Sequence, residues 1–126
     1  MKTLNDRTAL VVDDSGLNRQ IIIEYLHGKN FNILEAEDGK QALEHVATGK
    51  PDIILLDLIM PVMDGFETLE ELKKIGSEIP VIVITAYLKD NTYQRCLTLG
   101  AKGFLHKPVK MHELFNLISG LIENVR

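Results

Sequence analysis

The sequence has no tryptophan and a single cysteine, Cys96. One thiol cannot form an internal disulfide, so the fold must rest on its apolar core; cysteine this sparse fits a reducing compartment. No apolar run approaches the roughly 20 residues that a membrane span requires, and the opening MKTLNDRT lacks the apolar stretch of a secretory leader. A cytoplasmic location and no membrane partner are therefore expected. Positive charge is also scarce: 14 basic residues stand against 18 acidic ones, a net charge of −4. Domains that bind nucleic acid carry a basic patch, so direct nucleic-acid binding is not expected. Internal repeats and low-complexity tracts are missing too. What is present is 126 residues, 45% hydrophobic and 25% charged. That is enough chain for one core and too little for two, so one domain over 1–126 is expected.

Five short apolar runs alternate with amphipathic stretches: Ala9–Val12, Ile33–Ala36, Ile53–Leu56, Val81–Ile84 and Gly103–His106. The runs IILL and VIVI do not alternate with polar residues, so these strands are covered on both faces, as in a parallel sheet between helices. Helical stripes lie between the runs. They are Leu17, Ile21, Ile22, Tyr25 and Leu26 in the first, Ala42, Leu43, Val46 and Ala47 in the second, and Phe66, Leu69, Leu72 and Ile75 in the third. The last is Met111, Leu114, Phe115, Ile118, Leu121, Ile122 and Val125; Val125 still lies on the stripe, the pattern either of a native chain that continues or of a helix fraying at a true terminus. The stretch 89–99, KDNTYQRCLTL, is the poorest helix and is expected to be the least firmly packed. Cys96 is expected half-buried, and His27, His45, His106 and His112 show no metal-binding spacing. Turn signals at Asp38-Gly39, Gly49-Lys50-Pro51, Asp64-Gly65, Gly76 and Gly100 separate the elements. Five βα units with short links predict a doubly wound α/β domain, whose site lies beyond the carboxyl ends of the strands.

Those ends carry chemistry. The first strand runs into the adjacent acids Asp13 and Asp14, the third into Asp57, the fourth into Thr85 and the fifth into Lys107. In a parallel sheet all five gather at one edge. Clustered carboxylates repel or recruit a cation, and hard oxygen ligands with room for water suit Mg²⁺. A carboxylate beside such a metal can accept a phosphoryl group, with a hydroxyl and an ammonium to hold its oxygens. Asp14 or Ser15 could instead simply cap the first helix, and Asp64 is read as the cap of the third. If repulsion dominates, Asp13→Asn or Asp14→Asn should each stabilise the metal-free fold.

The motifs VVDDS, LLDLIMPVMDG, ITA and FLHKP together resemble the receiver domains of two-component response regulators, over about Thr8 to Asn124. The resemblance implies a flavodoxin-like sheet with strand order 2-1-3-4-5. It implies that Asp57 accepts the phosphoryl group. Asp14, Asp57 and the backbone carbonyl of Ile59 would bind Mg²⁺, with Asp13 acting through water on the metal. Thr85 and Lys107 would hold the phosphoryl group, and the bond before Pro108 would be cis. Thr85 and Phe104 would form the switch, although Phe104 lacks the hydroxyl of the tyrosine common there. Positions Ile59 and Tyr87 would govern water access; Ile59 offers no group to orient water and Tyr87 is bulky, which predicts a phosphorylated state longer-lived than with small polar residues there. The donor would be a histidine kinase or a histidine phosphotransfer protein. The fourth helix, fifth strand and fifth helix would address a downstream effector, a fused output domain or a second copy of the chain. The domain would not be an enzyme beyond catalysing its own phosphorylation and slow dephosphorylation.

Other readings fit less well. A haloacid-dehalogenase-type phosphatase needs a second acid two residues after its nucleophile, where Ile59 stands. A flavodoxin-like flavin binder needs a phosphate-cradling loop after the first strand, where DDSGLN places two negative charges. No G-x-G-x-x-G follows a strand. A degenerate receiver serving as a pure binding module is the remaining rival, and all five site residues argue against it.

Overall fold

The computed structural model describes residues 7–87 and 89–122; Val125 lies outside them. The elements run β1 (Thr8–Val12), α1 (Gly16–His27), β2 (Asn32–Ala36), α2 (Gly39–Thr48), β3 (Ile53–Leu56), α3 (Gly65–Lys74), β4 (Val81–Thr85), α4 (Thr92–Thr98), β5 (Gly103–His106) and α5 (Met111–Leu121). The strands form one sheet in the order β2-β1-β3-β4-β5, and every pairing is parallel. This is the predicted doubly wound order. Among the described residues no helix is long and apolar enough to cross a membrane.

The unbroken apolar strands are explained by two cores. Leu10, Val12, Ile54, Leu56, Val81 and Val83 face α2, α3 and α4, while Ala9, Val11, Ile53, Leu55, Ile82 and Ile84 face α1 and α5. β2, at the edge, keeps Glu35 exposed and buries only Ala36.

Helix ends follow local chemistry. Asp38 and Asp64 cap α2 and α3, Asp64 within a reciprocal capping box with Glu67. Helices α1, α3 and α4 close on left-handed residues, Asn30, Gly76 and Gly100. The following amides of Phe31, Ser77 and Ala101 donate back to Leu26, Leu72 and Cys96, satisfying carbonyls the helices leave open.

Two expectations need correction. In α1 the buried residues are Ile22, Ile23 and Leu26, whereas Leu17 is 73% and Ile21 49% exposed. Leu17 sits in the first turn of the helix, and three consecutive isoleucines leave spacing unable to say which pair turns inward. Cys96 is fully buried against the sheet, not half-buried; burial pushes its thiol pKa up, against a smaller opposing effect of Arg95. The fourth helix is the shortest of the five. α4 has seven residues, begins after Asn91 in the left-handed region, and receives no side-chain cap.

Candidate functional site

Adjacent strands bring Asp13 and Asp57 to the same level. The Asp13 N–H donates to the Ala36 carbonyl (3.1 Å), extending β1 by one residue, and the Asp57 N–H donates to the Val12 carbonyl (3.0 Å). One carboxylate oxygen of each is held locally: Asp13 Oδ1 accepts from the Ser15 N–H (2.9 Å) and Asp57 Oδ1 from the Leu58 N–H (2.7 Å). The other two face one ammonium. Lys107 Nζ donates to Asp13 Oδ2 at 2.7 Å and to Asp57 Oδ2 at 3.0 Å. Burial pulls the Lys107 pKa down, but its hydrogen bonds to Asp13 and Asp57 and their charges outweigh that and hold it above the ordinary value. The Lys107–Pro108 bond is cis. Gly65 lets α3 start against this turn: its N–H donates to the Leu58 carbonyl (2.9 Å), and a Cβ there would overlap the Asp57 carbonyl oxygen.

Asp14 differs from its neighbour. It is exposed, and its carboxylate has no hydrogen-bond partner among the described residues. Ser15 rather than Asp14 caps α1, its Oγ accepting from the Asn18 N–H at 3.2 Å. Even so, ligand oxygens of Asp13, Asp14 and Asp57 lie within 4.8 Å of one another.

The fourth and fifth strands complete the edge. Thr85, 1% exposed, ends β4, and its Oγ1 accepts from the Tyr87 N–H at 3.1 Å, leaving the hydroxyl proton for another acceptor. Phe104 pairs with Val83 and His106 with Thr85, so Phe104 and Thr85 share a sheet face. The Phe104 ring is half-buried, edge-on to Tyr93 at 5.5 Å and to His106 at 5.3 Å. Tyr87 packs edge-on to Phe66 at 6.0 Å, and the Arg95 guanidinium lies 3.9 Å from the Phe66 ring centre.

The response regulator receiver domain profile matches residues 9–119 of the chain. The chain belongs to this family. Among the receiver's relatives is a protein-glutamate methylesterase/protein-glutamine glutaminase of Treponema pallidum, 40% identical over 86% of this chain and 28% of that protein. Another is the sensor histidine kinase RcsC of Salmonella typhi, 34% identical over 97% of this chain and 13% of that protein. The chain thus spans a minor part of both. Among solved structures, the CheX–CheY–BeF3–Mg²⁺ complex of Borrelia burgdorferi superposes with a TM-score of 0.86 at 30% identity, over 94% of this chain and 91% of that one.

Receiver domains bind Mg²⁺ at an acidic pocket, and the donors here fit that ion. Three acids against one ammonium leave two negative charges, the charge a divalent cation neutralises. Asp14 has open lone pairs, and the Ile59 carbonyl accepts no hydrogen bond among the described residues. Exposed, hydrogen-bond-free oxygens leave room for the waters Mg²⁺ retains.

The geometry corrects the expected behaviour of the acid pair. Asp13 is not a lone repelled charge: Lys107 and the Ser15 amide already hold it. Relief of repulsion is therefore expected from Asp14→Asn, and loss of an ion pair from Asp13→Asn. The structure also brings in a residue that sequence reasoning passed over, Arg19, whose Nη1 donates to the Asp13 carbonyl at 2.6 Å. A cation in the first turns of a helix without an acid there works against the helix dipole, which marks Arg19 as unusual but names no partner for it.

Proposed function

We propose that this receiver, one domain over residues 1–126, is a phosphorylation-controlled switch of a two-component or phosphorelay system acting in the cytoplasm. The observation that carries the reading is the Lys107 ammonium, which bridges Asp13 and Asp57 at 2.7 and 3.0 Å beside an open third carboxylate. Asp57 presents its carboxylate to a phosphohistidine of a histidine kinase or phosphotransfer protein. An Asp57 oxygen forms the bond to phosphorus as the phosphorus–nitrogen bond breaks, and the imidazole keeps the electron pair and is protonated. Bound at Asp14, Asp57 and the Ile59 carbonyl, with Asp13 acting through water on the metal, Mg²⁺ would neutralise the charge of the transferring group. Lys107 then turns from the acids to a phosphoryl oxygen, and Thr85 donates its free hydroxyl proton to another.

The same contacts drive the output. Moving a switch from 1:99 to 99:1 takes about 5.5 kcal/mol of differential interaction, and a dianionic group held by Lys107, Thr85 and a metal can supply much of it. As Thr85 moves toward the phosphoryl group, Phe104 fills the space behind it. The altered face of α4, β5 and α5 addresses an effector, an attached output domain or a second copy. Ile59 presents no polar group to orient water at the acyl phosphate and Tyr87 is bulky, so the phosphorylated state is longer-lived than with small polar residues at these positions.

The test is mass. Incubated with Mg²⁺ and a small acyl phosphate, the protein should gain one phosphoryl group, and Asp57→Asn should gain none. No uptake in the presence of Mg²⁺ would leave a pure binding module as the better reading.

A further inference from the structure

We propose that Arg19 is a positioning residue for the metal pocket, acting through the peptide that joins Asp13 to Asp14, with Glu35 as the carboxylate that makes this possible. The proposal rests on the reading of the three acids as a Mg²⁺ site. Arg19 lies on α1 with its side chain only 14% exposed. Its guanidinium forks. Nη1 donates to the Asp13 carbonyl oxygen at 2.6 Å and Nε to Glu35 Oε1 at 3.0 Å. Glu35 stands near the end of the edge strand β2, where His45 Nε2 of α2 lies 2.8 Å from its carbonyl oxygen. Both flanking helices therefore grip the strand that supports the guanidinium.

The Asp13 carbonyl belongs to the peptide unit leading into Asp14. The Asp13 side chain is oriented independently, by Ser15 and Lys107. Asp14 has no such hold among the described residues, so the direction of its carboxylate depends on the plane of the preceding peptide, which Arg19 fixes. Outer hydrogen-bond partners of this kind orient metal ligands.

Charge alone would make Arg19 unhelpful, since an unpaired guanidinium beside the acids repels a divalent cation. Glu35 offsets it and leaves the two surplus negative charges in place. Positioning and electrostatics therefore predict opposite signs. Removing the Arg19 charge strengthens Mg²⁺ binding if the residue acts only as a charge, and weakens it if the residue holds the peptide.

Calorimetric titration of the unphosphorylated chain with Mg²⁺, with folding checked by circular dichroism, separates the two. Arg19→Gln is expected to weaken Mg²⁺ binding about tenfold. Arg19→Lys is expected to weaken it similarly, because one ammonium cannot reproduce the planar fork. The half-saturating Mg²⁺ for phosphoryl uptake should rise in parallel, while the rate at saturating Mg²⁺ is retained. Leu72→Ala, a core substitution away from the pocket, should lower stability and leave Mg²⁺ affinity unchanged. Affinity in Arg19→Gln equal to or above that of the parent would overturn the proposal, as would an equal loss in Leu72→Ala. If Asp14→Asn and Asp57→Asn also bind Mg²⁺ like the parent, the metal-site reading itself falls; if they lose binding while Arg19→Gln keeps it, only the role of Arg19 falls.

Discussion

The two halves of the strand-end edge are built differently. Around β1 and β3, Asp13 and Asp57 have both carboxylate oxygens engaged by Ser15, Leu58 and Lys107, and Arg19 holds the adjoining peptide. Around β4 and β5, α4 has seven residues, starts from a left-handed Asn91 without a side-chain cap, and faces a strand whose residues are partly exposed. The first half keeps acceptor groups where chemistry needs them. The second contains the elements that can rearrange at low cost. The proposed switch needs both: a fixed point of reaction, and a part whose alternative state lies within the few kcal/mol that phosphorylation would supply.

Hydrogen exchange gives the largest expected contrast. Amides of Ile53–Leu56 should open only with global unfolding, and those of Thr92–Thr98 at a free energy at least about 3 kcal/mol lower. Equal protection in β3 and α4 would erase the distinction between the halves.

Next comes Lys107→Met, which leaves Asp13 and Asp57 facing each other without their cation. Breaking a buried pair costs about 3–5 kcal/mol. The Lys107 side chain is 20% exposed, so about 2 kcal/mol is expected in urea denaturation after discounting for solvent screening. The pH dependence has a definite sign. The folded-state pKa of Lys107 is raised above 10.5, so its contribution is fully present below that value and is lost as pH rises through the folded pKa. The difference between parent and Lys107→Met should therefore be constant near neutrality and shrink in strong alkali; a gap that widens there contradicts the ion-pair account.

Phosphoryl lifetime tests both halves at once, because Ile59 borders Asp57 and Tyr87 follows Thr85. Ile59→Asn with Tyr87→Ala should speed dephosphorylation about tenfold, a change of about 1.4 kcal/mol in barrier. The single variants then show which half limits water access, and an unchanged rate in the double variant rejects the role of both.

The smallest effect is Asp14→Asn, expected to stabilise the metal-free protein by about 0.5 kcal/mol, as befits an exposed charge near two others. Asp13→Asn should lower stability under the same conditions. Stabilisation by both would mean that the Lys107 bridge contributes nothing to holding Asp13.

Much of this was legible in the primary structure. The five strands lie within one residue of the predicted runs, because doubly covered strands carry unbroken aliphatic segments that little else produces. The five residues at the strand ends could be read because a parallel sheet delivers every strand end to one edge. The inward face of α1 could not: Ile21, Ile22 and Ile23 present apolar surface in several directions, and the neighbour that decides among them is remote in sequence. Nor could the Lys107 bridge to Asp13, since spacing assigns a lysine to an edge but not to a partner on another strand. Arg19 escaped for a related reason: its partners are a backbone carbonyl, which no residue type announces, and Glu35, 16 positions away.

The Lys107 bridge joins residues 94 and 50 positions apart. During synthesis, Asp13 and Asp57 leave the ribosome long before the ammonium that reconciles them. A chain arrested before the fifth strand holds its acids without their internal counter-ion, so the bridged pocket cannot assemble from an unfinished product. Placing the neutralising charge after the fifth strand makes the lysine-bridged pocket a record that the preceding βα units have been made and docked.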